Sequence, residues 1–447
     1  MATKSDTLAS SVNFGAFGKA KELKQRLLFT LGALIVYRLG TFIPIPGIDP
    51  AVIGDLFAQQ SDGILGVFDA FAGGALSRMS IFALNVIPYI SAAIIMQLMT
   101  AISPKFEAMK KEGASGQKRI NQYTRYLTVL LAMIQAYGLS VGLEGLNSSQ
   151  GAAVDNPGVF FRASTVITIV GGTMFLMWLG EQITARGVGN GISLIIFSGI
   201  VANLPTALAS TLELGRTGAL PVLAIVAFLI MAIGVIAIIV FFERAQRRII
   251  VQYPKRQVGN RMFGGEASHI PLKLNTSGVI PIIFATSILL TPVSIAGFSS
   301  GGGGDILGWI TAYLGRGQPL FLIVFAFLIA FFAFFYTAIV FNPSDTAENL
   351  KSNGGFVPGI RPGTNTATYF DYVLSRLTVV GAIYLVAVAL LPEILISRFS
   401  LPFFFGGTSL LIVVVIAMDT VAQIQSHLLA HQYEGLIRKA KLKGRRG

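Results

Sequence analysis

The chain has 447 residues, of which 53% are hydrophobic and only 12% are Asp, Glu, Lys or Arg. Soluble domains carry about 25% charged residues. This composition, with a mean hydropathy of +0.70, excludes an ordinary soluble protein, a disordered chain and a coiled coil, and points to a membrane protein of many spans. A net charge of +13 would suggest nucleic acid in a soluble protein; in a membrane protein it raises the question of which side holds the excess. There is no cysteine, which excludes disulfides, thiolate catalysis and cysteine metal sites, and three histidines leave little material for a histidine-rich centre.

Residues 1–26 are polar and basic (Lys4, Lys19, Lys21, Lys24, Arg26) and lead into an apolar run of spanning length without the pattern of a cleavable signal. The stretch from Phe14 to Leu28 reads either as an amphipathic helix at the membrane surface or as a basic tail that sets orientation. A helix needs about 20 apolar residues to cross the hydrocarbon core. Ten segments qualify: 27–43, 79–102, 126–143, 163–180, 191–214, 219–242, 274–297, 319–341, 377–392 and 399–418. The sixth and eighth carry no charge, the first is interrupted by Arg38, and the ninth is short.

Between the first two spans, residues 63–76 form an apolar run too short to cross, broken by Asp69 and by glycines that include Gly63, Gly73 and Gly74. It reads as a re-entrant segment filling a vestibule or as a surface helix beside the membrane. Helix breakers punctuate the spans at Pro88, Gly171-Gly172, Pro205 and Pro281, where a kink or tilt is expected. Two loops are long enough to fold. Loop 243–273 holds a strand-like stretch, Gln246 to Tyr253, with Arg247 and Arg248, followed by a turn with Lys255 and Arg256; this predicts a basic hairpin tip. Loop 342–376 holds Gly359-Ile-Arg-Pro-Gly363, a stiff turn that presents Arg361 outward. Gly301–Gly304 reads as a flexible tether.

Ten spans put both ends on one side. With that side taken as cytoplasmic, 28 of the 34 Lys and Arg lie on it, while Arg38, Arg78, Arg162, Arg216, Arg316 and Arg398 lie opposite. The cytoplasmic face then carries about +17 and the outer face about −3, the asymmetry of the positive-inside rule.

Ion-coupled transporters place charged side chains near the middle of their helices; here only Arg38 and Glu213 fall within those spans, both toward an end, and Asp419 directly follows the last. Gly187-Val-Gly-Asn-Gly191 lacks the lysine and preceding strand of a phosphate loop. His427 and His431 share a helix face without a third ligand nearby. No nucleophile–base pair or carboxylate dyad stands out, so the residues do not describe an enzyme. A secondary transporter of small solutes remains the other function class that fits the span count and the helix breaks.

Specific strings go further. Gly40-Thr-Phe-Ile-Pro-Ile-Pro-Gly47, Phe71-Ala-Gly-Gly-Ala-Leu-Ser-Arg78, Ile87-Pro-Tyr-Ile-Ser91, Gln122-Tyr-Thr-Arg125, Trp178-Leu-Gly-Glu-Gln-Ile-Thr184, Arg186-Gly-Val-Gly-Asn-Gly191, Pro358-Gly-Ile-Arg-Pro-Gly363 and Phe405-Gly-Gly-Thr-Ser-Leu410 closely resemble the bacterial SecY family, the central subunit of the Sec protein-translocation channel. They run from the first span to the last.

The resemblance implies an all-α membrane protein in which ten transmembrane helices form two pseudo-symmetric five-helix halves around an hourglass channel. The expected organisation is a cytoplasmic tail at 1–26, an N-terminal half at 27–214, a C-terminal half at 219–425 and a basic cytoplasmic tail at 426–447. The run 63–76 matches the family's plug, with Gly63, Ile64, Leu65, Phe68, Asp69, Phe71, Gly73 and Gly74 as its residues. The pore ring falls on Val86 and Ile90 around Pro88, Ile192 and Ile196 after the glycine-rich turn, Ile283 after Pro281, and Ile412 after the Gly-Gly-Thr-Ser string. Such a ring excludes water and ions by dewetting; Val86, where isoleucine is more usual, is one methylene smaller. From the residues alone, each of these is equally plain core packing.

By the same resemblance, a sideways gate to lipid lies between helices 2–3 and 7–8, with Ser91, Gln97, Asn275, Thr276 and Ser277 as polar candidates for its seam. The implied function is passage of unfolded polypeptides across the bacterial plasma membrane, with lateral release of transmembrane helices, through a passive gated pore without a cofactor. The implied partners are SecE and SecG subunits, the motor ATPase SecA, the ribosome, signal peptides, nascent chains and membrane lipid. Arg361, Lys255, Arg256, Arg247 and Arg248 are the candidate docking residues; a basic tip suits ribosomal RNA phosphates.

Overall fold

In lipid, a chain satisfies its backbone groups within helices, and among the described residues most of the long apolar runs are helical. The computed structural model describes residues 21–49, 52–55, 69, 72–145, 147–148, 151–218, 221–253, 256–258, 261–263, 267–298, 318–399 and 407–443. Thirteen helices carry the fold among the described residues: α1 Lys21–Gly40, α2 Ile87–Ile102, α3 Pro104–Lys111, α4 Ala114–Glu144, α5 Val159–Arg186, α6 Gly191–Ala202, α7 Leu204–Arg216, α8 Val222–Arg244, α9 Ile280–Phe298, α10 Pro319–Val340, α11 Pro343–Ser352, α12 Thr364–Phe399 and α13 Gly407–Lys443. Seven helical stretches are long and apolar enough to cross a membrane, or eight if the bent pair α2–α3 is one span; α6 and α7 together make one of the seven.

The three prolines expected to break spans sit at helix starts. Pro88 and Pro205 lie in the first turns of α2 and α7, and Pro281 is the second residue of α9. Proline is favoured there because its missing N–H has no intrahelical partner to lose. The expected kinks in spans 2, 5 and 7 are therefore junctions between helix and non-helical backbone. Gly171-Gly172, also expected to break a span, runs through the middle of unbroken α5. The second span differs most from expectation. Its helix begins only at Ile87; residues 73–86 are turns, held by backbone bonds from Ile45 N–H to Met79 O (2.9 Å) and from Ile81 N–H to Ile43 O (3.0 Å).

Besides the contact between consecutive α7 and α8, helices before residue 217 meet helices after 221 along two seams. On one, α9 packs against α2 and α4; on the other, α13 packs against α6 and α1. The main core runs through both and includes Val86, Ile90, Ile196, Ile282, Leu411 and Ile412.

The two long loops fold into one unit. After short β1 (Asn147–Ser148) and β2 (Gly151–Ala152), which pair with each other beyond α4, strands β3 (Gln246–Gln252) and β6 (Ala267–Lys273) pair antiparallel with Gln246 opposite Lys273 and Ile249 opposite Ile270. Between them, short β4 (Arg256–Val258) pairs with β5 (Arg261–Phe263), so strand pairing continues where a turn was expected. Gln252 bridges to Phe356 in the other loop through two 2.9 Å backbone bonds. Ile249, Val251 and Leu272 of the hairpin share a core with Leu350, Val357 and Phe370. A half-buried hairpin alternates polar and apolar residues, and β3 buries Ile249 and Val251 while exposing Arg248, Ile250 and Gln252.

Candidate functional site

Four of the six expected ring residues converge. Val86, Ile90, Ile196 and Ile283, with Asn85, Ile87, Thr286 and Ser287, line a narrow space of about 20 Å³ between α2, α6 and α9. That volume holds about one water molecule. The lining contains no charge. Its hydroxyls are already used: Thr286 donates to Ile282 O (2.7 Å) and Ser287 to Ile283 O (2.8 Å), the back-bonding available to Ser and Thr on a helix. Ile192 and Ile412 do not line this space. Ile192 lies against Gly180 of α5, and Ile412 is fully buried.

Local chemistry fixes each wall. Asn85, at φ +49°, turns the chain into α2 in a left-handed conformation that Asn tolerates. Asn190 caps α6, its side chain accepting from Ile192 N–H and Ser193 N–H (3.2 and 3.4 Å). The glycine-rich turn before it is a packing joint: a side chain on Gly191 would overlap the Gly180 carbonyl oxygen. Val188 N–H bonds Thr30 Oγ1 of α1 (3.0 Å), and Gly189 N–H bonds Gln423 Oε1 of α13 (2.9 Å). The turn thus ties both ends of the chain to α6.

Beside the space lies the end of the expected plug. Gly63, Ile64, Leu65, Phe68 and Phe71 fall outside the described residues. Asp69 Oδ1 accepts Leu76 N–H (3.0 Å) and Ser77 N–H (2.8 Å); burial pushes its carboxyl pKa upward, against those two bonds and the nearby Arg78. Gly73 has φ +67°, and a Cβ there would lie 2.8 Å from Gly199 Cα on α6. Tyr37 OH donates to Ala72 O (3.2 Å), and Arg38 donates to Gly73 O. Arg38 and Arg78 both stack on the Phe42 ring, 5.0 and 4.3 Å from its centroid. Tyr37 carried no signal in the sequence. Arg38 did, as one of two charges within spans.

The gate candidates divide. Ser91 and Gln97 lie half-buried on α2, their side-chain oxygens without hydrogen-bond partners among the described residues. Asn275 and Ser277 are instead buried in a network facing α8. Asn275 Nδ2 donates to Glu243 Oε1 (2.6 Å) and Gly278 O (3.0 Å), and Ser277 Oγ donates to Asn275 Oδ1 (2.9 Å). Thr276 bonds Lys273 O (3.1 Å). The sequence reading missed Glu243 because it ends an apolar run and looked like a boundary charge.

Of the docking candidates, Arg361 is exposed between Gly359 (φ +83°) and Gly363 (φ +107°), as the stiff turn predicted. Arg247 and Arg248 are exposed on β3, and Arg256 opens β4; Lys255 falls outside the described residues. Arg125 and Glu181, from two of the matching strings, form a bidentate pair between α4 and α5 (3.1 and 2.7 Å). Among the described residues, no three His, Asp or Glu gather to hold a metal.

Comparison with known proteins agrees with this architecture. The SecY family model matches residues 80–421. The chain is 54% identical to the protein translocase subunit SecY of Rickettsia conorii over 422 residues, covering 94% of this chain and 97% of that one. It is 54% identical to the Escherichia coli K12 protein over 430 residues, covering 96% and 97%. Among solved structures, a protein-conducting channel superposes with a TM-score of 0.63 at 17% identity over 91% of this chain and 92% of that one. Canine Sec61 from a ribosome–channel complex superposes with a TM-score of 0.60, also at 17% identity over 91% and 92%. The full-length identity to bacterial relatives and the matched family model establish that this chain belongs to the SecY family, and is a multi-pass membrane protein.

Proposed function

We propose that the chain is the channel-forming subunit of a protein translocase: a passive, gated pore through which unfolded polypeptides cross the bacterial plasma membrane and from which transmembrane helices leave sideways into lipid. The observation that carries this is the small, uncharged space shared by Val86, Ile90, Ile196 and Ile283, set between the two groups of helices. Aliphatic side chains around a space for one water hold back ions by dewetting. They also make no hydrogen bonds, so a passing chain is not selected by sequence. Ile192 and Ile412 complete the ring as its backing layer.

The full proposal has ten spans in two five-helix halves, 27–214 and 219–425, with residues 63–76 as plug and both termini cytoplasmic. The plug's released position requires Tyr37 and Arg38 to let go of Ala72 and Gly73. The seam between α2–α4 and α9 is the side exit, with Ser91 and Gln97 on one lip. The hairpin unit with Arg247, Arg248, Lys255 and Arg256, and the turn at Arg361, dock a SecA motor or a ribosome. Relatives carry the name protein translocase subunit, and the canine neighbour is a ribosome–channel complex, which supports this assignment. SecE and SecG subunits complete the assembly.

The test is reconstitution of the protein with its co-purifying subunits into vesicles. Addition of SecA, ATP and an unfolded preprotein is expected to move the preprotein to a protease-protected interior. A client locked in a folded state is expected to stall. Saturable uptake of a small solute without a motor, and no protection of preprotein, would replace the channel with a transporter.

A further inference from the structure

The backbone that leads from the plug into α2 is strained at one residue. Among the described residues, Met79 (φ +42°) and Asn85 (φ +49°) are the only ones other than glycine with positive φ. Asn tolerates this region because its short polar side chain can bond locally. Methionine has no such compensation, and its Cβ crowds the following carbonyl oxygen there. A residue of this kind stays in the left-handed region only where its surroundings over-determine the backbone.

Two sets of backbone bonds meet at Met79. On the plug side, Ser80 N–H bonds Ala75 O (2.9 Å) and Met79 N–H bonds Leu76 O (2.9 Å). This nested pair is the Schellman motif, which closes a helical turn through one left-handed residue, usually glycine. Here that residue is Met79. Nearby left-handed positions do carry glycine, at Gly73 (φ +67°) and Gly74 (φ +79°). On the other side, residues 43–45 run past as a strap after α1: Ile45 N–H bonds Met79 O (2.9 Å) and Ile81 N–H bonds Ile43 O (3.0 Å). The Met79 side chain is fully buried in the main core. The described end of the plug, residues 72–76, is also held at Ala72 and Gly73 by Tyr37 and Arg38. The strap holds residues 79–81 independently of those contacts.

We propose that Met79 is the hinge of the plug and that its backbone is sprung while the plug is seated. When the plug leaves, the bonds to Ala75 and Leu76 break, the strap bonds to Ile43 and Ile45 stay, and Met79 relaxes out of the left-handed region. This deepens the channel reading above and rests on it. The strain disappears on release, so it offsets part of the cost of unseating the plug. An L-residue in the left-handed region is disfavoured by about five- to thirtyfold. Glycine at this position would remove that factor and hold the plug in place more firmly.

The test compares Met79→Ala with Met79→Gly in the full protein with its co-purifying subunits in lipid nanodiscs, without motor or preprotein. The two variants lose nearly the same packing, and only alanine keeps the strain. The chain has no cysteine, so a reporter Ala75→Cys, at a fully buried position of the plug's end, is labelled by a maleimide while the plug is out. Labelling is expected to be at least about fivefold faster with Met79→Ala than with Met79→Gly. A second reporter, Ala153→Cys, also at a fully buried position but outside the plug, is expected to label at one rate in both. Equal labelling of Ala75→Cys in the two backgrounds would show that residue 79 keeps its conformation when the plug leaves, and would overturn the hinge. An alanine excess at both reporters would assign the effect to general loosening and overturn it as well. Hydrogen exchange of the parent chain, read residue by residue, needs no substitution at Met79. Exchange through local opening is expected to be faster at the Met79 and Ser80 amides than at the Ile45 and Ile81 amides. Equal protection at all four would place no hinge at Met79. Neither measurement uses translocation, so a failed hinge leaves the channel reading to its own preprotein test.

Discussion

The cavity between α2, α6 and α9 gives the sharpest prediction. Ile90 and Ile196 are 7% and 4% exposed and face the same space of about 20 Å³. Changing a buried isoleucine to alanine costs about 4 kcal/mol in mid-range. Transfer of the three carbons removed accounts for about 2.4 kcal/mol, at about 0.8 kcal/mol each. The remainder, about 1.6 kcal/mol at about 24 cal/mol per Å³, corresponds to about 65 Å³ of unfilled space, or about two waters at about 30 Å³ each. The double variant Ile90→Ala/Ile196→Ala therefore converts a space for one water into a file of several, enough to wet the constriction. Single-channel recording in planar bilayers is expected to show resting ion leak at least ten times that of the parent, with each single variant between. Ile195 is the control. It is fully buried one residue along the same helix and does not line the space, so Ile195→Ala is expected to lower stability similarly while leaving the leak at the parent's level. Equal leak from Ile195→Ala and Ile196→Ala would show that the effect is general loosening and would refute the ring.

Asn275→Leu removes the donor that serves the buried Glu243 carboxylate; a hydrogen bond to a charged group contributes about 1.5–3 kcal/mol, so the variant is expected to inactivate at lower temperature. Glu243→Gln retains an acceptor for Asn275 Nδ2 and is expected to stay closer to the parent, a difference that thermal inactivation of preprotein translocation measures. Gly191→Ala puts a methyl into the Gly180 carbonyl oxygen, and overpacking of this kind costs about 1–3 kcal/mol; size-exclusion after graded heating is the check. Arg361→Glu leaves the α11–α12 turn folded, because that turn depends on Gly359 and Gly363. It is expected to abolish SecA-driven export while the protein remains inserted, and export at the parent's rate would remove Arg361 from the docking surface.

Much of this molecule is legible in the sequence because lipid imposes a simple rule: apolar runs of sufficient length become helices. The strand-like stretch at Gln246 and the stiff turn at Arg361 were readable from local patterns, since alternation and flanking glycines act over a few residues. What escaped depends on contacts distant in sequence. Pro88, Pro205 and Pro281 look alike whether they kink a helix or begin one, and only the neighbouring backbone decides. The joint at Gly187–Gly191 is made by Thr30 and Gln423, more than 150 residues away on either side. The bond from Asn275 to Glu243, 32 residues earlier, had no local signal either. The ring aliphatics had no mark of their own. Each is an ordinary core residue until three helices bring four of them around one space.

The central claim is that a translocating polypeptide passes through that space. The chain contains no cysteine, so single cysteines at Ile90, Ile196 and Ile283, and at the lipid-facing control Ile230, can be tested against an arrested preprotein carrying one cysteine within its translocating segment. Passage through the ring predicts disulfide crosslinks to the first three positions, dependent on SecA and ATP, and none to Ile230. Crosslinks of equal yield at all four positions, or none at the ring while the preprotein is arrested, would contradict it.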